Sequence, residues 1–179
     1  MIWYYEDGII EKKQSYKNSK DHGKWIFNYE NGKVKRIQNY KHGKKDGEWS
    51  TYREDGTVYE IQSYKKGKED GKWVRYYEDR ILEEKYYSSG IKVGKWKKYL
   101  WSGQVIEEKN YKKDKLDGEF IKFYNNGKVC KKGTYKNGEK DGKWVWYNQF
   151  GHFLEELEWN GGKKEVIKSN IPGGVDHGW

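Results

Sequence analysis

The feature that most constrains this chain is a short motif that recurs at an almost constant interval. The motif is Gly, then Lys or Glu, then an aromatic residue, which is called the anchor below. The anchors are Trp25, Trp49, Trp73, Trp96, Phe120 and Trp144. Successive anchors are separated by 24, 24, 23, 24 and 24 residues. Six copies in one phase predict a tandem array of a single small structural unit.

Other positions keep the phase of the anchor and complete the pattern of the repeat. At +3 from the anchor the aromatic residues are Tyr52, Tyr76, Tyr99, Phe123 and Tyr147, with Asn28 as the exception. A glycine recurs at +7 except at Arg80, where one residue is missing, and +9 is apolar throughout, with Val34, Val58, Leu82, Val105, Val129 and Phe153. At +15 stand Tyr40, Tyr64, Tyr111, Tyr135 and Trp159, with Tyr87 one place early. We therefore predict an array of about seven units over residues 1–166, the first and last partial, followed by a C-terminal tail over 167–179.

Each repeat contains two turn signals that favour β-hairpins. Asn31-Gly32, Asp55-Gly56 and Asn126-Gly127 predict two-residue type I′ turns, because such turns need a positive φ at both positions. The second signal is a longer stretch rich in Lys and Gly, such as "KHGKKDG". The chain has ten Trp and seventeen Tyr but no alanine, which favours strands over helices. The prediction is an all-β fold: an elongated single-layer antiparallel β-meander of tandem hairpin repeats, with about fourteen strands and little or no helix.

The turn type determines which residues share a face of the sheet. With two-residue turns, the anchor, the +9 residue and the +15 residue share one face and form a structural strip, whereas a bulge would exchange the faces. The +3 aromatics then lie on the opposite face and become the candidates for partner binding: Tyr52, Tyr76, Tyr99, Phe123 and Tyr147. The alternative, that these rings only pack against each other to stiffen the sheet, stays open.

The pattern of reactive residues argues against catalysis and metal binding. The four histidines fall in turns or in the tail, and Cys130 is predicted to be a half-buried strand residue without a disulfide partner. Carboxylates recur at +11, as Glu60, Glu84, Glu107 and Glu155, with Arg36 and Lys131 in the same phase. We interpret this row as a ladder of cross-strand charge pairs rather than the paired carboxylates of a glycosidase. The sequence thus predicts no catalytic, cofactor-binding or metal-binding residues.

The charge and the hydropathy give expectations about partners and compartment. The net charge is +9, but only four of the 37 basic residues are Arg, so a solvated surface is favoured over a specific nucleic-acid interface. No apolar run is long enough for a transmembrane segment, and the first ten residues lack the pattern of a signal peptide. We expect a cytoplasmic protein, although a secreted chain whose signal peptide has been removed has the same appearance.

The stretch "NGKVCKKGTYKNGEKDGKWVWY" resembles the MORN-repeat variant, a class found in tandem in bacterial proteins that include those labelled YwqK-family antitoxins. The resemblance covers about residues 1–166, and the shorter interval, Phe120 and Arg80 depart from it. It implies an extended β-meander used for binding or scaffolding, in some members for neutralising a toxin. The leading expectation is a non-enzymatic module that binds a protein partner, such as a cognate toxin. The alternatives are a secreted or surface-associated scaffold or adhesin, and a binder of anionic lipid or nucleic acid.

Overall fold

The computed structural model describes residues 1–169 of the chain. This part consists of strands and turns and contains no helix. It divides into two compact units, an N-terminal unit of Met1–Ile91 and a C-terminal unit that begins at Lys92. The predicted tail from residue 170 onwards lies outside the described residues.

The N-terminal unit is an antiparallel meander. Its strands are β1 (Ile2–Tyr4), β2 (Ile10–Lys13), β3 (Tyr16–Lys17), β4 (Lys20–Asp21), β5 (Gly23–Asn28), β6 (Val34–Lys41), β7 (Lys44–Lys45), β8 (Gly47–Tyr52), β9 (Val58–Lys65), β10 (Lys68–Glu69), β11 (Gly71–Tyr77) and β12 (Arg80–Ser88). The pairing follows the chain, through β1, β2, β5, β6, β8, β9, β11 and β12, and β3 pairs with β4.

The C-terminal unit repeats this arrangement. After β13 (Ile91–Lys92) come β14 (Gly94–Tyr99), β15 (Val105–Lys112), β16 (Lys115–Phe123), β17 (Val129–Lys136), β18 (Glu139–Tyr147), β19 (Phe153–Asn160) and β20 (Lys163–Ser169). Each strand from β14 to β20 pairs antiparallel with the next. β20 ends at Ser169, beyond the predicted boundary of the array at residue 166.

The predicted all-β meander of hairpin repeats is therefore confirmed in each unit. The structure divides residues 1–169 into twenty strands rather than about fourteen. The reason is local: single residues such as Asp46 and Asp70 interrupt the strand that leads into the next anchor. Gly47 and Gly71 follow these interruptions with φ of 99° and 102°, values that residues with a side chain rarely adopt.

The Asn-Gly turns have a different geometry from the predicted one. The amide of Tyr29 donates to the carbonyl of Lys33 (2.8 Å), and the amide of Gly32 donates to the carbonyl of Tyr29 (2.9 Å). Gly32 has a positive φ of 78°, but Asn31 does not. These features define a three-residue loop with a type I turn and a glycine bulge, and the same hydrogen bonds recur around Gly56 and Gly127. The prediction of two-residue type I′ turns is wrong at these positions.

The third repeat, which lacks the turn glycine, has the shorter connection. Tyr77 pairs directly with Arg80, so only Glu78 and Asp79 lie between the strands. Glu78 takes the positive φ of 52° there. The turn of this repeat is thus one residue shorter than the others. Tyr87 pairs with Gly71 and takes the place of the +15 aromatic, as its phase predicts.

The bulge at each turn changes one of the predicted faces. Alternation along β8 places Tyr52 on the opposite side from Trp49, as predicted. Tyr52 pairs with Val58, and Phe123 pairs with Val129, with a register shift beside each pair. Paired residues project to the same side, so the +9 residue lies with the +3 residue. Its predicted place beside the anchor is wrong.

The anchors and the +15 residues form the predicted strip within each unit. Trp25, Tyr40, Trp49, Tyr64, Trp73 and Tyr87 follow one another with ring centroids 4.7, 5.2, 5.3, 5.6 and 4.8 Å apart. In the C-terminal unit Trp96 contacts Tyr111 (4.5 Å), and Tyr135 contacts both Phe120 (5.8 Å) and Trp144 (5.0 Å). Indole nitrogens fix the strip, because Trp25, Trp49, Trp73 and Trp144 each donate to a carbonyl ten residues earlier.

Candidate binding surfaces

The predicted partner-binding residues are half-buried at the ends of hairpins. Tyr52 and Tyr76 belong to the N-terminal unit, and Tyr99, Phe123 and Tyr147 belong to the C-terminal unit. All five side chains have intermediate exposure, so they do not form an open aromatic face. Each residue except Tyr76 is the last of its strand, directly before the turn that contains the glycine bulge.

The residue at +4, which the sequence analysis overlooked, clamps these hairpin ends together. The Tyr29 hydroxyl donates to the carbonyl of Tyr52 (2.8 Å), and Tyr124 does the same to Tyr147 (2.9 Å). In the repeat of Trp49 the +4 residue is Arg53, and its Nη2 donates to the carbonyl of Tyr76 (2.6 Å). The available signal was a hydrogen-bond donor recurring directly after the +3 residue. The +4 side chain therefore joins each of these repeats to the next one.

Two large rings are exposed on the turns of the C-terminal unit. Trp101 is 68% exposed and Phe150 is 62% exposed. They lie in turns 100–104 and 148–152, with turn 124–128 between them in the chain. We call these three turns the aromatic turn edge. Neither ring was predicted from the sequence, although Phe150 directly precedes a turn glycine and only Ser102 separates Trp101 from one.

The backbone under the exposed rings is held by hydrogen bonds. In turn 100–104 the amide of Leu100 donates to the carbonyl of Gln104 (2.8 Å). In the next turns Asn126 Nδ2 donates to the carbonyl of Gln149 (2.7 Å), and Lys128 Nζ donates to that of Phe150 (2.6 Å). The aromatic turn edge thus presents rings on an ordered backbone.

The predicted ladder of charge pairs is present only in part, because no ion pair involves Glu60 or Glu155 within the described residues. Arg75 pairs in register with both Glu60 and Glu83, and its guanidinium lies 3.0 Å from the Glu83 carboxylate. Because the third repeat is one residue short, Glu83 and not Glu84 takes the place that the phase assigned. Lys109 Nζ lies 3.1 Å from the Glu107 carboxylate, but the two residues belong to one strand, β15, so this pair is not a cross-strand one. Burial raises the pKa of the Glu60 carboxyl above its ordinary value of 4.5.

A second cluster places one lysine among three tryptophans. Lys140 Nζ lies 4.8, 5.6 and 4.4 Å from the ring centroids of Trp144, Trp146 and Trp159. Burial lowers the pKa of this ammonium, and the charges of Lys131 and Lys164 lower it further. Trp159 replaces the +15 tyrosine, and its buried Nε1 has no hydrogen-bond partner within the described residues.

The remaining candidates for chemistry stay apart. The exception in the described part of the chain is the pair His22 and His42, whose rings form a T-shaped contact with centroids 5.2 Å apart in neighbouring turns. Cys130 is a half-buried residue of β17, as predicted. Within residues 1–169 no group of three His, Cys, Asp or Glu side chains is placed to hold a metal ion. The same residues contain no helix long and apolar enough to span a membrane.

Comparison with known proteins supports the repeat assignment for part of the chain. Four segments match the MORN repeat variant. They are residues 1–18, 21–42, 45–66 and 116–137, together just under half of the chain. The unmatched stretch 67–115 contains the short third repeat and Trp101. No curated protein matches the chain. The chain is thus similar to MORN repeat proteins at four of its repeats.

Proposed function

We propose that this chain is a non-enzymatic repeat module that binds a protein partner through the aromatic turn edge. The observation that carries the proposal is the exposure of Trp101 and Phe150 on hydrogen-bonded turns. Exposed large rings on an ordered backbone suit a contact site, since little conformational freedom is lost on binding and Trp is enriched among interface hot spots. The similarity to MORN repeats supports a binding module in general terms.

The earlier candidates belong to the same surface in the C-terminal unit. Tyr99, Phe123 and Tyr147 each directly precede one of the three turns of the aromatic turn edge. Their rings are half-buried, while Trp101 and Phe150 are largely exposed to solvent. We therefore propose the exposed rings as the main contacts and the three +3 residues as their flanking and supporting contacts.

The finer proposal is a bacterial antitoxin or immunity protein whose partner is a toxin. It is motivated by the resemblance of the repeats to YwqK-family antitoxins, and it implies action in the compartment of the toxin, which we propose to be the cytoplasm. The direct test is co-expression with the protein encoded by the neighbouring gene. If no toxicity is relieved and no partner is retained in a pull-down, the antitoxin proposal is wrong.

Once a protein partner has been identified, two double variants locate the surface that contacts it. Trp101→Ser with Phe150→Ser should weaken binding at least about tenfold, equivalent to about 1.4 kcal/mol, without changing the melting temperature. Tyr77→Ser is the matched control, because its ring is also exposed (53%) beside a turn, at the end of β11, but lies in the N-terminal unit. Normal binding by the double variant would move the contact elsewhere. The second double variant, Tyr76→Ser with Tyr99→Ser, tests the +3 residues in the same assay.

The lysine-rich turns favour one competing function, binding to an anionic surface. Such binding depends on the release of counterions and weakens steeply as salt increases. A contact made by Trp101 and Phe150 changes little with salt. Affinity measured at low and high ionic strength therefore separates the two functions.

A further inference from the structure

The two turn edges of the N-terminal unit carry opposite net charges. The turns that connect one repeat to the next form the lysine edge, with the exposed residues Lys17, Lys20, Lys41, Lys44, Lys65, Lys66 and Lys68. The turns within each repeat form the acidic edge, with the exposed residues Glu6, Asp7, Glu30, Glu54, Asp55, Glu78 and Asp79. Because turns of a meander alternate between its two sides, the two charge sets lie on opposite edges of one sheet.

The repeat gives both edges the same spacing. Each edge has one turn for every two strands, so successive turns on either edge are about 10 Å apart. Lysines on one side and carboxylates on the other therefore recur at a common interval. The turn interval of one edge thus equals that of the opposite edge on a second copy.

The charged side chains that define the lysine edge and the acidic edge are not paired with opposite charges within the unit. None of these fourteen side chains takes part in an ion pair within the described residues. Three basic residues occur on the acidic edge. Lys33 Nζ donates to the carbonyl of Asp55 (2.8 Å), Arg53 donates to that of Tyr76 (2.6 Å), and Arg80 is exposed next to Asp79. Lys33 and Arg53 thus bind backbone carbonyls, and seven acidic against three basic side chains leave this edge with an excess of negative charge.

The C-terminal unit lacks this complementarity. Its aromatic turn edge, residues 100–104, 124–128 and 148–152, contains no Asp or Glu. The pairing of a lysine edge with an acidic edge is therefore a property of the N-terminal unit. This confines the inferred contact to residues 1–91.

We propose that a second copy of this chain docks with its acidic edge along the lysine edge of the first, N-terminal unit against N-terminal unit. The contact uses different surfaces on the two copies, so each copy retains one free edge and further copies add in the same way. Spacing favours this occupant over a nucleic acid, because the acidic edge has the period of the lysine edge. The lysine edge also offers no Arg fork for phosphate recognition.

Salt dependence of self-association is the first test. In sedimentation velocity at about 20 mM salt, the average mass of the full chain should rise with concentration, whereas at about 300 mM it should remain that of a monomer. A chain that is monomeric at both ionic strengths overturns the proposal. So does a monomer at low salt that binds duplex DNA or polyphosphate, because the lysine edge then serves a polyanion.

Two complementary variants give the decisive test. The first neutralises the acidic edge through Glu54→Gln, Asp55→Asn, Glu78→Gln and Asp79→Asn, where Asn preserves the acceptor that Asp55 Oδ1 gives to the Thr57 amide (2.8 Å). The second neutralises the lysine edge through Lys41→Gln, Lys44→Gln, Lys65→Gln and Lys68→Gln. Each alone should associate at least about tenfold more weakly than the original chain. Mixed in equal amounts they should form a dimer that grows no further.

A mixture that remains monomeric, or a single variant that associates normally, contradicts edge-to-edge docking. Far-UV circular dichroism and the melting temperature check that both variants fold. The Trp101→Ser and Phe150→Ser double variant should self-associate normally, since its substitutions lie outside both edges. Failure of this proposal thus leaves the partner-binding proposal intact, and the reverse also holds.

Discussion

Gly133 leaves the space that the Trp144 ring occupies. A Cβ at residue 133 would lie 2.2 Å from Cδ2 of Trp144, far inside the contact distance. Gly133 does not have a positive φ, so what matters is the absence of a side chain rather than an unusual backbone. Phe120, the register partner of Gly133, stacks on Trp144 at 5.6 Å, and Trp144 is 0% exposed. These three residues thus pack directly against one another.

We expect Gly133→Ala to destabilise the protein. The methyl group cannot be accommodated unless Trp144 moves, and overpacking of this kind costs typically about 1–3 kcal/mol. Urea unfolding followed by tryptophan fluorescence measures the change. The control is the same substitution in a Trp144→Ala background, where the ring is gone and Gly133→Ala should be nearly neutral. An equal cost in both backgrounds means that the ring is not the cause.

The sequence predicted the strip but not this contact. Period and residue type were enough to identify the anchors and the +15 aromatics, since large rings at fixed phase on alternating strands must meet. Gly133 stands where other repeats have Gln38, Gln62 or Lys109 opposite the anchor. Trp144 fills the space that the missing side chain of Gly133 leaves. This contact depends on how the neighbouring strands bulge, which the sequence pattern does not contain.

A second prediction concerns the clamp between repeats. Tyr29→Phe removes the hydroxyl that donates to the carbonyl of Tyr52 (2.8 Å) and leaves that acceptor without this donor. The expected loss is about 0.5–1.5 kcal/mol of unfolding free energy. Tyr4→Phe is the matched control, because its ring is 58% exposed and the same atom is removed. Equal stability of the two variants in chemical denaturation would show that the clamp contributes nothing.

The clamp and the turn show why the candidate surface was only partly predictable. An Asn-Gly pair suits both a two-residue turn and a type I turn with a glycine bulge, and only the hydrogen bonds of Tyr29 and Gly32 distinguish them. The glycine bulge places the +9 residue on the side of the sheet opposite to the anchor. The side of the +3 residues followed from alternation alone, but their partial burial follows from neighbouring side chains in three dimensions.

Position in the array should affect the cost of losing an anchor. Trp96→Ala should destabilise more than Trp25→Ala, because Trp96 is only 8% exposed whereas Trp25 is half-buried. Removing a buried aromatic costs about 3–5 kcal/mol, and loss of an anchor also weakens the stacking of its repeat on the next one. Thermal melts of both variants give the comparison. Equal shifts in melting temperature contradict nearest-neighbour stacking as the source of stability.

The strip tyrosines should make the fold sensitive to alkali. Burial raises the pKa of the Tyr40, Tyr64 and Tyr135 hydroxyls above their ordinary value of 10.0. Between pH 10.0 and these raised values the unfolded chain releases protons that the folded chain retains. The stabilisation is therefore complete below pH 10.0 and is lost as pH rises through the folded pKa values. Lys140 acts in the opposite direction, since its lowered pKa makes stability rise as pH approaches its ordinary value of 10.5.

The pKa values of Lys72 and Lys109 are raised as well, so they act in the same direction as the three tyrosines. We therefore expect the melting temperature to fall above pH 10.0, and the absorbance of tyrosinate to appear later in the folded protein than in urea. Tyr64→Phe should reduce the alkaline loss, because one raised hydroxyl is removed. Lys140→Met should enlarge it, because the opposing contribution is gone. A melting temperature that stays constant through this range, or an unchanged profile in Tyr64→Phe, means that ionisation of the strip tyrosines does not control alkaline stability.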